Sequence, residues 1–262
     1  MNATIAVQMT RADLLKLRKK RGTLIWALVL ALAPLFIYFV VRAGQHSSNP
    51  GRYAPAGGNA GYLDAVRLLA LFFGPLAAIL IGAEGGAQDA AAGVFRDLVV
   101  TGRDRAALFT TRVPASLALC WMVVTAGYVL LAVGTYALAS GSPTPGTASM
   151  LNGYGFSLLS TGIVCAVAVG VASLTTSRPA TLTALIGWHL VASPILVGIS
   201  SLGSIRELIL SQAIGHFSPV RIGQGMHGVS VTMSQGTALI ELVGWLAVFL
   251  ALGAWRTRTM DA

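Results

Sequence analysis

The chain has 262 residues, 55% of them hydrophobic and only 10% charged, with a mean hydropathy of +0.74. That balance excludes an ordinary water-soluble domain, and the apolar residues fall into runs of roughly 18–25, the length that crosses about 30 Å of hydrocarbon as a helix. The net charge of +9 and pI near 10.3 do not point to nucleic acid, because the basic residues gather at the flanks of the apolar runs.

At the N-terminus, Ala6–Arg21 mixes Val7, Met9, Leu14, Leu15 and Leu17 with a basic flank, which predicts an amphipathic helix over 6–21 at a membrane interface. Arg11, Lys16, Arg18, Lys19, Lys20 and Arg21 crowd before the first apolar run and form the strongest positive-inside signal. That run, Thr23–Val41, is too long for the core of a signal peptide and no small-residue cleavage site follows, so it is expected to stay as the first transmembrane helix. Trp26 and Tyr38 are its interfacial anchors and Pro34 a kink position. The Gly-, Pro-, Ser- and Asn-rich stretch Arg42–Asp64 reads as an outer loop. Helix 2 follows over 65–83, with Arg67 near its outer end and Gly74-Pro75 as a kink.

Glu84–Arg112 carries four acids and four arginines, which are costly in hydrocarbon, so it is expected on the cytoplasmic side. Asp89 as N-cap, helical composition through Thr101 and Gly102 as a stop predict a short helix over 89–101 parallel to the membrane. Helices 3, 4 and 5 are expected over 113–139, 154–174 and 180–199, with SGSPTPGTAS as an outer turn and TTSRP as the inner link whose Pro179 suits a first helical turn. An outer segment then carries a helical pattern over Ser204–Phe217, broken by Gly215 and Pro219, before helix 6 over 236–254 and a basic tail. Six crossings put both termini in the cytoplasm. Thirteen of the 18 Lys and Arg then lie inside, against Arg42, Arg52, Arg67, Arg206 and Arg221 outside. The fold class is all-α: residues 1–262 form a single polytopic membrane domain of six transmembrane helices.

No catalytic constellation is visible. The three lysines sit in the N-terminal cluster, and no GxxxxGK[ST], HExxH or GxSxG string occurs, so the chain is expected to be no enzyme and to hold no metal or cofactor of its own. Cys120 and Cys165 lie inside apolar runs and read as small buried hydrophobes. Small residues in helices 4 and 5, among them Ser157, Ser160, Gly170 and Ser173, permit close helix approach.

His189 and Glu241 are the ionisable groups farthest from the helix ends, and intramembrane ionisable groups are costly enough to be functional candidates. A neutral, hydrogen-bonded imidazole between helices explains His189 equally, and Glu241 is reached by water or pairs with Arg67 at similar depth. A proton-coupling role for the pair would make the chain a secondary transporter or channel, although no inverted repeat is visible.

The pattern of loops resembles the permease subunit of an ABC-2 type exporter, over nearly the whole chain. In that family the loop between helices 2 and 3 holds a glutamate, a Gly-Thr dipeptide, a leucine-rich turn, Pro-x-Ser-Arg and a basic residue opening helix 3. Here those positions read Glu84, Gly93-Val94, Leu98, Gly102-Arg103-Asp104-Arg105 and Arg112, with Val replacing Thr and Gly replacing Pro. The resemblance implies a plasma-membrane exporter in which two permease copies, identical or related, form the pathway. Two copies of a separate ABC ATPase subunit bind ATP and Mg beneath them. It also implies that the helix over 89–101 couples the two, with Val94, Phe95 and Leu98 as apolar contacts and Arg96, Asp97, Arg103 and Arg105 as the polar rim. A hydrophobic or amphipathic small molecule or peptide is the expected substrate class.

Overall fold

A backbone in hydrocarbon must satisfy its own N–H and C=O groups, which favours long uninterrupted helices. The computed structural model describes residues 3–91, 93, 105–219 and 233–259, and among these it is all-helical, with no strand. Helix α1 is Ala3–Lys19 and α2 Arg21–Ser48. They are followed by α3 (Gly58–Ala91), α4 (Arg105–Ala137), α5 (Thr147–Thr175) and α6 (Arg178–Gly198). A 3-10 segment, Ser200–Leu208, leads to the short α7 (Leu210–His216), and α8 is Gln235–Thr259. Six of these, α2 to α6 and α8, are long and apolar enough to cross a membrane. The protein has the architecture of a multi-pass membrane protein.

The spans extend beyond their apolar runs. Helix α2 continues through Arg42 to Ser48 and α3 begins at Gly58, so the expected outer loop over 42–64 narrows to Asn49–Gly57. Polar residues do not break a helix, and the turn is closed by Nδ1 of His46 meeting the Tyr53 carbonyl at 2.7 Å. Helix α6 starts where Ser177, rather than Pro179 alone, sets it: the Ser177 hydroxyl accepts from the Ala180 N–H. Thr176, in a left-handed conformation, ends α5.

Two helices contain a π-helical stretch just before a proline: Leu68–Phe73 ahead of Gly74-Pro75 in α3, and Trp188–Ala192 ahead of Ser193-Pro194 in α6. In both, the residue before the proline donates five residues back, Gly74 to Leu69 and Ser193 to Trp188. A proline has no N–H to donate and its ring crowds the preceding turn; widening that turn relieves the crowding without breaking the span.

The core is built on α3 and α5. Of the most apolar stretch of each span, 72% is buried in α3 and 67% in α5, against 22% in α2, 17% in α6 and 22% in α8. Close approach is possible because α3 presents glycine to α5: a Cβ on Gly82 would lie 2.6 Å from both the Ala168 Cβ and the Cys165 carbonyl oxygen. Helix α2 leans on the bundle through a stripe of Thr23, Ala27, Ala31, Leu35 and Phe39, four residues apart. Its other faces leave Ile25, Trp26, Phe36, Ile37 and Val40 exposed, a surface suited to lipid rather than water. Cys120 and Cys165 are free thiols, fully buried between α4 and α5.

Candidate functional site

The beginning of α2, the end of α3, the beginning of α4, the α5–α6 link and the end of α8 meet at one end of the bundle, here called the base. Charged residues that flank apolar runs are carried there by helix length alone. Two carboxylates of α3, Glu84 and Asp89, are nonetheless buried inside it, each side chain 5% exposed. Five positions apart on a helix, they point about 140° from one another and face different neighbours.

Asp89 faces α4 and α1. Arg112, itself 4% exposed, donates through Nη2 to Asp89 Oδ2 at 2.9 Å. Lys16 of α1 reaches Asp89 Oδ1 at 3.4 Å and Asp13 Oδ1 at 3.2 Å, while the Thr111 hydroxyl donates to Asp13 Oδ2 at 2.9 Å. Glu84 faces α2 and α6. It accepts from the Thr23 hydroxyl at 3.0 Å and pairs with Lys20 at 3.6 Å and with Nε of Arg178 at 3.1 Å. Arg178 also donates to the Thr23 hydroxyl at 3.3 Å. At the edge of the base, Arg105 donates to the Arg258 carbonyl at 3.0 Å, joining the start of α4 to the end of α8.

Burying a carboxylate is costly unless donors surround it, and both of these are met by several. The arrangement holds charge: each carboxylate is met by a cation and by further donors on neighbouring helices. Among the described residues no three His, Cys, Asp or Glu side chains are placed to hold a metal ion. The junction links helices. It ties α1 to α3 and α4 through Asp89, and α2 to α3 and α6 through Glu84, so these helix ends move together or the pairs must break.

Several expectations change here. Asp89 is not the N-cap of a separate helix and Glu84 does not open a loop, because α3 runs on to Ala91 with both inside it. Helix α4 begins at Arg105 rather than at Val113, leaving Arg112 within a helix. The reason is common to all three: paired charges lose their penalty, so the helices continue. The coupling residues Val94, Phe95, Arg96, Asp97, Leu98 and Arg103 lie outside the described residues, whereas Arg105 is at the base. Asp13, Lys16 and Thr111 were missed. Two acids and an arginine embedded in otherwise apolar helical stretches were the available signal.

Glu241 does not pair with Arg67. Arg67 reaches Asp64, one turn back on its own helix, at 3.2 Å. The Glu241 carboxylate is buried in α8 and makes no hydrogen bond among the described residues. His189 lies in the π-helical turn of α6 with its ring toward the Leu71 and Phe72 carbonyls, in the π-helical turn of α3. The Ser160 hydroxyl of α5 donates to the neighbouring Ala70 carbonyl at 2.6 Å. Pro75 cannot donate to these carbonyls, so Ser160 supplies what the proline removes and His189 faces the same widened turn. No hydrogen bond joins His189 to Glu241. Trp188 packs on Trp245 of α8, with ring centres 6.2 Å apart.

No protein-family model and no curated protein matches this chain.

Proposed function

We propose that the chain is the membrane-spanning subunit of an ABC-2 type exporter, driven by a separate ATPase and working as a pair of permease copies. The observation that carries this reading is the charged base. Residues 92–104, where the family resemblance puts the coupling contacts, leave the base from α3 just beyond Asp89 and return to it in α4 just before Arg105. Such a short connection, rooted in two helices whose ends are ion-paired to each other, to α1 and to α6, transmits a push from outside the membrane as a tilt of several helices. A loop on unpaired, fraying ends would dissipate it.

In this reading the base faces the cytoplasm of a plasma membrane with both termini on that side, as the basic bias of the sequence expects. ATP and Mg are held by the partner ATPase. The substrate is a hydrophobic or amphipathic molecule, in keeping with helices α2, α6 and α8 that leave broad apolar faces uncovered.

The test is Phe95→Asp, with Phe36→Asp avoided because it would disturb a membrane face. Purified from its native host, the wild-type chain should retain an ABC ATPase and stimulate its ATP turnover. Phe95→Asp should lose both while the permease itself still purifies as a folded protein. Retained association and undiminished ATP-dependent transport in Phe95→Asp would overturn the assignment. Transport that follows a proton gradient and needs Glu241 would favour a secondary transporter.

A further inference from the structure

We propose that the groove at the α1–α2 corner of the base binds the phosphate-bearing headgroup of an anionic membrane phospholipid. The groove is open, with a volume of about 520 Å³, and is lined by Lys19, Lys20, Arg21, Trp26, Glu84 and Arg178, together with Gly22 and Thr23 of the first turn of α2. A volume of that order accommodates a glycerophosphate headgroup.

Charge favours an anion there. Four cationic side chains line the groove against a single carboxylate, and that carboxylate already has two of them, Lys20 and Arg178, as partners. Lys19 and Arg21 have no ion-pair partner among the described residues and are exposed. Their donors are therefore available to a phosphate beside the Glu84-paired Lys20 and Arg178, an arrangement that recognises phosphate by several charge-assisted contacts.

Position selects a lipid over a free anion. The groove lies at the first turn of α2, where a membrane-crossing helix meets the interface. Trp26, 64% exposed, sits on its rim, and Ile25 and Val29 continue an uncovered apolar face along the same helix. A headgroup in the groove therefore lays its acyl chains on that face. Interfacial tryptophans suit this boundary, apolar on one side and wet on the other. The proposal rests on the membrane setting alone and is independent of the exporter reading.

The experiment uses the full chain purified in a neutral detergent, titrated with dioleoylphosphatidylglycerol, dioleoylphosphatidylcholine or inorganic phosphate, with bound lipid counted by native mass spectrometry. Phosphatidylglycerol should bind saturably at one molecule per chain, and phosphatidylcholine and phosphate should not compete. Lys19→Gln/Arg21→Gln should weaken that binding by about thirtyfold, taking about 1 kcal/mol for each basic residue at an anionic surface. Arg11→Gln/Arg18→Gln removes the same charge from exposed positions of α1 outside the groove, and should leave binding within about twofold. Equal losses in both double variants would show diffuse attraction and overturn the proposal. So would competition by inorganic phosphate, which would mark a free-anion site, or equal binding of phosphatidylcholine. All four side chains are exposed, so both variants should fold, and unchanged thermal unfolding in detergent verifies it.

Discussion

The base of the bundle and the middle of the membrane both bury polar groups, and they satisfy them in different ways. At the base the groups are charges on separate helices, and each finds an opposite charge: Asp89 with Arg112 and Lys16, Glu84 with Arg178 and Lys20. In the middle the groups are backbone carbonyls of one widened helical turn, and a neutral side chain answers them, Ser160 at Ala70. Charges so paired hold several helix ends in one arrangement, and lose heavily if one partner goes. A neutral hydroxyl on a carbonyl stabilises locally and lets the helix bend around it. On the exporter reading proposed above, the difference suits a base that moves as a unit and spans that tilt.

The largest effect that could break this comparison comes from Arg112. Arg112→Met leaves Asp89 buried in the bundle with only the half-exposed Lys16 nearby, and should destabilise the protein by about 3–5 kcal/mol. Unfolding in detergent measures it. Asp89→Leu/Arg112→Met removes both charges and should recover most of the loss, because the penalty belongs to the orphaned carboxylate rather than to the missing attraction. A double variant as unstable as the single would show that the pair holds the helices by its own attraction.

How far these features could be read from the sequence depends on whether the signal was local. Six apolar runs of membrane-crossing length predict six helices, and six such helices are present among the described residues. Helix ends are less legible, because polar residues continue the helices at residues 42–48, 84–91 and 105–112. Glu84, Asp89 and Arg112 are legible as charges but not as partners, since Asp89 meets an arginine 23 positions away and a lysine 73 positions away, on two other helices. Gly74-Pro75 announces a kink, yet the carbonyl it frees and the Ser160 that answers it are 90 positions apart. Of the two alternatives for Glu241, water or Arg67, the Arg67 pair is not formed, for a complementary reason. Similar depth does not decide which face a residue occupies, and Asp64 one turn away supplies a nearer partner for Arg67.

A smaller effect tests the middle of the membrane. Ser160→Ala removes the donor to Ala70 and should cost about 0.6–1.7 kcal/mol, the range of interhelical hydrogen bonds within bilayers. Ser160→Thr keeps the hydroxyl and should lose less if the extra methyl group fits. A loss from Ser160→Ala as large as that from Arg112→Met would erase the distinction between the two regions.

The smallest effect lies at the edge of the base and decides whether burial, rather than charge, sets the scale. Lys16 makes two ion pairs, but its side chain is 43% exposed where that of Arg112 is 4% exposed. Water screens an exposed pair and replaces it when it breaks, so Lys16→Ala should cost no more than about 1 kcal/mol. Asp89 retains Arg112 and Asp13 retains the Thr111 hydroxyl, so neither carboxylate is abandoned. The loss should shrink further in high salt, whereas that of Arg112→Met should not. A large, salt-insensitive loss from Lys16→Ala would mean that α1 is clamped to the base as firmly as α3 is to α4. In that case, on the exporter reading proposed above, α1 would be a second place where a push could reach the spans.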